Sequence, residues 1–315
     1  MIDSTILLKA YRLMCQAKVM AETYEANRPI CKYVHSTSRG HEAIQLALGF
    51  QLKSFDWVSP YYRDESVMLG MGWRPYEMML QLLAKADDPF TGGREYYNHP
   101  NSLREAFPKI IHQSSATGMQ AVPTTGIAQG IQYKEKVGLL SGEDKPVVVC
   151  CFGDGSVTEG EVSEAFQFAA LKQLPILYLV EDNDWGISVS SDEARTMNAY
   201  EFIQGFKGIE RLQVDGSDFE KSYEVIENAI HYVRENRKPI LVHATVPLLG
   251  HHTSGVRKEW YRTDEDLAKH YTDDPGPKLR KLLLQKGISS DTLDTIEKET
   301  LALVEQDFNQ AVASA

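Results

Sequence analysis

Residues 147–188 constrain the fold of this chain more than any other stretch. Residues 147–152 are a continuous apolar run rich in β-branched side chains, which is how a strand buried on both faces reads. The run ends at Gly153-Asp154-Gly155. Thr158 and Glu161 then have the spacing of a capping box, which opens a helix. Val162, Ala165, Phe166 and Ala169 recur at helical spacing, so that helix has one buried face. Pro175 closes the connection, and residues 176–180 form a second apolar strand. Strand-helix-strand units join parallel neighbours. The predicted fold class is α/β, with a parallel sheet flanked by helices on both faces.

The chemistry-bearing residues sit where those two strands end. Asp154 ends the first and Asn183 the second, and open parallel sheets bind ligands beyond the carboxyl ends of their strands. Carboxylate and amide oxygens are hard ligands that suit Mg²⁺, which usually keeps phosphate oxygens in its shell. Gly153 and Gly155 let a phosphate approach the backbone with no Cβ in the way. A helix opening directly after them would add free N–H groups and a positive dipole end. Together these features describe a site for a diphosphate bridged to protein by a metal. GDG alone would equally suit a tight turn with an exposed Asp.

GDG, a helix, a strand, and then Asn183 in the run DNDWGIS resemble the thiamine-diphosphate motif. More closely, they resemble the alpha subunit of the 2-oxo acid dehydrogenase decarboxylating component, the family of the pyruvate and branched-chain enzymes. The resemblance covers nearly the whole length. It implies a single thiamine-diphosphate-binding domain over residues 1–315, with a C-terminal helical layer. It implies that Asp154, Asn183 and the backbone carbonyl of Trp185 hold Mg²⁺. Asp182 stands where the family usually has the first of two Asn. Gly153, Gly155 and Ser156 fall at the cofactor turn. Tyr62 and Arg63 match a Tyr-Arg pair that contacts the diphosphate, and Ser115 and Thr117 lie where backbone groups hold the aminopyrimidine ring. His252, just before Thr253, matches the cofactor-contacting catalytic His. The implied reaction is oxidative decarboxylation of a 2-oxo acid, such as 2-oxoisovalerate or pyruvate, with acyl transfer to a lipoyl domain of the acyltransferase component. A beta subunit, separate or fused, would supply the carboxylate that activates the aminopyrimidine. The alternatives are an acetoin-dehydrogenase type of thiamine-diphosphate enzyme and a non-catalytic subunit without cofactor affinity.

The remaining chain reads in order. Residues 4–27 form a helix that Arg28-Pro29 stops, and a polar loop follows at 35–43, in which His35 and His41 suit cap or surface roles. A small-residue helix spans 43–52, and a short strand at 56–59 runs into Tyr61-Tyr62-Arg63-Asp64. An Arg in that setting either clamps a phosphate bidentately or stacks on a Tyr at the surface. A helix spans 76–84, and residues 87–110 are irregular. A loop that long is usually functional, and it resembles the family's loop beneath the cofactor. A Gly- and Ala-rich helix covers 124–133. A short strand and turn at 212–216, an amphipathic helix at 219–236 and a strand at 240–246 close the parallel sheet, and charged helices follow. The loop at 250–255 reads as mobile and borders the cofactor. A His there suits proton movement near neutral pH, because its unperturbed pKa is ~6.5.

Two departures from the family bear on the diphosphate. Leu248 and Glu181 stand where members carry or often carry an Arg. Arg63 remains, and Arg257 and Lys258 are placed to fold in as substitutes. The chain also stops soon after its last helix, where members continue with an acidic, Pro-rich tail, so it reads as truncated or as half of a fused chain. His251-His252 leans toward the branched-chain members. With 44 acidic and 33 basic residues, the net charge of −11 argues against a nucleic-acid partner. Cys150 and Cys151 lie inside the first strand and read as buried thiols. The absence of a disulfide framework fits a reducing compartment. No apolar run reaches the ~20 residues of a membrane helix, and the N-terminus lacks the marks of a signal peptide. The expectation is a cytoplasmic bacterial protein, or a mitochondrial-matrix one if the chain is a processed eukaryotic form. No G-x-G-x-x-G follows a first strand, which argues against a nicotinamide-binding protein.

Overall fold

A computed structural model describes residues 2–111, 114–140 and 144–315. Its strands are β1 (Trp57–Ser59), β2 (Lys109–Ile110), β3 (Val148–Gly153), β4 (Ile176–Asp182), β5 (Trp185–Gly186), β6 (Val189–Ser190), β7 (Glu210–Asp215) and β8 (Ile240–Thr245). Six of them form one sheet in the order β2-β1-β3-β4-β8-β7, with every pairing parallel. β5 and β6 make a separate two-residue antiparallel ladder.

The apolar runs of β3 and β4 divide between two cores. Val149, Cys151, Leu177 and Leu179 enter one; Val148, Cys150, Phe152, Tyr178 and Val180 enter the other. A strand's side chains alternate between faces, so a run buried on both sides has no polar positions. The first core is covered by α1 (Ser4–Ala26), α2 (Glu42–Gln51), α3 (Glu65–Met71), α4 (Pro75–Leu82) and α9 (Phe219–Asn236), with α11 (Pro275–Gln285) and α12 (Ser290–Ala313) beyond. The second is covered by α5 (Ala121–Lys136), α6 (Gly160–Lys172) and α8 (Ala199–Phe202). The α/β architecture with helices on both faces is therefore as expected. Among the described residues no helix is long and apolar enough to cross a membrane.

The strand expected at 240–246 is the last strand of the sheet in chain order, and in space β8 is inserted between β4 and β7, so that β7 is the edge strand. One expectation needs correction and one helix was not anticipated. The capping box at Thr158 and Glu161 does not form. A 3-10 turn, Asp154–Ser156, follows β3, the helix starts only at Gly160, and the Thr158 hydroxyl donates back to the Gly155 carbonyl at 3.4 Å. The helix α3 was not anticipated, because it is short and its N-cap makes no side-chain hydrogen bond.

α3 matters because it follows the Tyr62-Arg63 turn and crosses α2. At the crossing, a Cβ on Gly49 would lie 2.6 Å from the Val67 carbonyl oxygen and 2.8 Å from Gly70 Cα, both backbone. On an isolated helix, Gly→Ala would stabilise by about 1 kcal/mol. Here overpacking of about 1–3 kcal/mol should outweigh it. Gly49→Ala is expected to lower the urea midpoint at unchanged slope; an unchanged or raised midpoint would show that the two helices do not rely on this contact.

Candidate active site

The sheet's connections reverse direction between β1 and β3. β1 is followed by β2 on one side, and β3 and β4 lie on the other. Such a reversal opens a crevice beyond the strand ends. A cavity of about 560 Å³ occupies that place. Tyr62, Arg63, Ser115, Thr117, Gly153, Asp154, Gly155, Ser156, Asn183, Trp185 and His252 all line it. Segments far apart in the chain thus converge on one space.

Arg63 is 1% exposed, so it is not a surface residue. Its Nη2 donates to the His252 carbonyl at 3.2 Å and its Nη1 to the Thr37 carbonyl at 3.5 Å, while Nε has no partner among the described residues. The Tyr62 ring centroid lies 5.4 Å from the guanidinium carbon. Arg63 is the one Lys or Arg side chain among the described residues that line the cavity.

Asp154 closes β3 and is held from the side. Arg195 donates to Asp154 Oδ2 at 2.5 Å and to Asp182 Oδ1 at 2.6 Å. His243 lies 2.8 Å from the other Asp182 oxygen. Burial, then the Asp182 charge, push the Asp154 carboxyl up to about 6, against the pull of Arg195. Asp182, despite burial, is held below the usual carboxylate range by His243 and Arg195. Arg195 lies in a polar segment that offered no signal, and the sequence reading missed it.

Asn183 Oδ1 accepts the Trp185 N–H at 3.1 Å, and its Nδ2 lies 3.2 Å from His41 Nε2. His41 Nδ1 in turn lies 2.6 Å from Glu181 Oε2. His41 is fully buried, and burial pushes its pKa below the usual value, against the Glu181 hydrogen bond. His35 is buried too and lines the cavity. The surface reading of these two histidines is therefore overturned, while His41 does take the N-cap position of α2, without a side-chain cap hydrogen bond. Polar loop residues default to solvent, and only tertiary partners reveal the exception.

The two adjacent histidines separate. His252 lines the cavity, with Nε2 3.5 Å from the Tyr62 hydroxyl, while Nδ1 has no partner among the described residues. His251 is not among the lining residues and accepts the Lys258 N–H at 3.2 Å. The loop expected to be mobile is tethered: the Ser36 hydroxyl donates to the His252 carbonyl at 2.6 Å, and the Ser254 N–H to the His35 carbonyl at 2.7 Å. Burial, then the Arg63 charge, push His252 down to about 3. Arg257 and Lys258 do not fold in. Arg257 pairs with Glu25 at 2.7 Å, and Lys258 donates to the Leu249 carbonyl and the Tyr271 hydroxyl.

The family model described as "Dehydrogenase E1 component" matches residues 11–315. The chain belongs to that family. Its relatives include the 2-oxoisovalerate dehydrogenase subunit alpha of Bacillus subtilis, 29% identical over 87% of this chain and 80% of the relative. The pyruvate dehydrogenase E1 component subunit alpha of Rickettsia bellii is 29% identical over 85% of this chain and 78% of its own. The 3-methyl-2-oxobutanoate dehydrogenase subunit alpha of Mycobacterium tuberculosis is 29% identical over 90% and 71%. The E1 dehydrogenase family depends on thiamine diphosphate.

The residues of this E1-family chain fit such a group. Arg63 Nε and His252 Nδ1 are buried polar atoms without partners among the described residues. A Cβ at Gly155 would meet nothing within 4 Å, so the turn presents bare backbone to the space beside it. Asp154 and Asn183 supply hard oxygens. The helix end is not part of the fit, because α6 starts at Gly160, which does not line the cavity.

The irregular loop contributes residues that were not singled out. Tyr96, Tyr97 and His99 line the cavity, and His99 Nε2 lies 3.1 Å from the Ser115 hydroxyl. The loop's length marked the segment but not these side chains. The Tyr97 hydroxyl donates to Glu65, which is fully buried. Burial pushes Glu65 from its ordinary 4.5 up to about 7, against the hydrogen bonds from Tyr97 and Ser38. A raised carboxyl means that the fold favours the protonated form. That stability is whole below pH 4.5 and is lost as pH rises through about 7. The loss is on the order of 3 kcal/mol. Glu65→Gln keeps a neutral acceptor, so its melting temperature relative to the parent should climb between pH 4.5 and 7 and then level off. A difference independent of pH would refute this account of Glu65.

Proposed function

We propose that this chain is the alpha subunit of a thiamine-diphosphate-dependent 2-oxo acid dehydrogenase, acting on a branched-chain 2-oxo acid such as 2-oxoisovalerate, or on pyruvate. The observation that carries the reading is the convergence of Arg63, the GDG turn, Asn183 and His252 on one cavity at the strand ends of an E1-family chain. The partners are a beta subunit, which completes the site with the carboxylate that activates the cofactor, and the lipoyl domain of the acyltransferase component.

Bound thiamine diphosphate supplies the carbanion chemistry that releases CO₂ from a 2-oxo acid. The protein's part is binding, orientation and charge. Arg63 and the bare backbone at Gly155 and Ser156 take the diphosphate. Asp154, Asn183 and the Trp185 carbonyl take Mg²⁺, a hard cation that prefers oxygen. Ser115 and Thr117 border the ring end. Tyr62, Trp185, Tyr96 and Ile187 line the walls. His252 is neutral in the protein alone, with Nδ1 free to hydrogen-bond. A neighbouring anion raises an imidazole's pKa, which brings His252 toward the range where it transfers protons.

Two measurements test the reading. Asp154→Ala should fold normally and lose Mg²⁺-dependent binding of thiamine diphosphate in calorimetry; parental binding would remove Asp154 from the metal site. In the assembled complex with a beta chain, His252→Ala should bind cofactor yet lower reductive acylation of the lipoyl domain by roughly 10²-fold or more, the scale of an acid-base contribution. His251→Ala, outside the cavity, should do much less, and equal losses would refute the assignment.

A further inference from the structure

We infer that His41 and Glu181 form a positioning dyad that, together with the Trp185 N–H, fixes which end of the Asn183 amide is oxygen, and so presents that oxygen to a divalent cation. The inference rests on the proposed role of Asn183 as a metal ligand.

The argument starts from a backbone N–H, which can only donate. The Trp185 N–H lies 3.1 Å from one terminal atom of Asn183, so that atom is the amide oxygen, Oδ1. The other is Nδ2, which can only donate. It lies 3.2 Å from His41 Nε2, so this ring nitrogen must accept and carries no proton. The proton of the neutral ring is then on Nδ1, which lies 2.6 Å from Glu181 Oε2 and 3.4 Å from the Tyr61 hydroxyl. Gln45 Nε2 donates to the same Glu181 oxygen at 2.7 Å. His41 and Glu181 have no exposed surface, so the pair is out of contact with bulk water.

Each link in the chain sets the next. Glu181 selects the tautomer, the tautomer makes Nε2 an acceptor, and the acceptor holds Nδ2 away from the cation. Without it, Nδ2 is a buried donor with no partner and only the Trp185 N–H still holds the amide, so its oxygen is presented less firmly to the cation. Glu181, which read as a departure that weakens the site, has a role of its own. A ligand's outer partners typically govern metal affinity by 10–100-fold.

The test uses Mn²⁺ with thiamine diphosphate on the full chain assembled with a beta subunit, reading free Mn²⁺ by electron paramagnetic resonance. His41→Leu is expected to weaken Mn²⁺ by about 10–100-fold. His41→Gln, whose amide both accepts and donates, should recover most of the loss. On the full chain alone, ¹⁵N NMR should find the His41 proton on Nδ1. Parental Mn²⁺ affinity in His41→Leu, failure of His41→Gln to recover affinity lost in His41→Leu, or a proton on Nε2 would overturn the dyad. If His41→Leu does not fold, His41→Gln must retain Mn²⁺ binding and the NMR must show Nδ1–H, or the inference fails. Asn183→Ala separates the two levels. If it binds Mn²⁺ like the parent, the metal reading itself is wrong; if it loses Mn²⁺ while His41→Leu does not, only the dyad is wrong.

Discussion

A buried carboxylate at the end of β4 organises the site. Glu181 has no exposed surface, and an isolated charge there would be very costly. Two donors from α2, His41 at its N-cap and Gln45 one turn later, offset part of that cost at Oε2, while Oε1 has no partner among the described residues. Gln45 also donates to Asp64 Oδ1 at 3.1 Å and to the Arg63 carbonyl at 3.2 Å, and its own oxygen accepts the Ser66 N–H. One polar knot thus ties α2, the Arg63 turn and the end of β4 together. Burial and the Glu181 charge push Asp64 well above the usual carboxylate range. The placement of Arg63 and Asn183 beside one cavity follows from these bonds.

The second charge cluster follows the same rule. Asp182 stands where an Asn would add no charge, and it is largely buried. Two carboxylates this close repel unless a cation lies between them. Arg195 fills that role, bridging Asp182 and Asp154, and His243 adds a hydrogen bond from the neighbouring strand. The bridge leaves Asp154 Oδ1 outside the ion pair, so the cluster orients the carboxylate that the proposed cation would meet.

What could be read from the sequence divides along physical lines. β3 and β4 were legible because strands buried on both faces have no polar positions, and their carboxyl ends marked where Asp154 and Asn183 would sit. Sheet order was not legible, since nothing local in residues 240–246 says that β8 lies inside β7. The start of α6 was misread because the spacing of Thr158 and Glu161 matches a cap, whereas the chain first makes a 3-10 turn whose bonds run from Val157 N to Asp154 O and from Glu159 N to Ser156 O. His41, Arg195 and Glu65 were missed for a shared reason. Each is polar in a polar or helical context, and only its partners in distant segments reveal its role.

His252 shows how far a residue's ordinary chemistry can mislead. Its unperturbed pKa suggests proton transfer near neutral pH, yet burial and the Arg63 guanidinium hold it down to about 3. Among the described residues, the same guanidinium has an Nε without a partner and is the one Lys or Arg group lining the cavity. An anion that satisfied Arg63 would offset the second of these two causes and leave burial, the larger one, in place. Under the proposed function, therefore, the bound diphosphate raises His252 through Arg63 toward its ordinary range. The loop that carries His252 is tethered to residues 35–36 and to Arg63, so this coupling acts through charge and requires no movement of the loop.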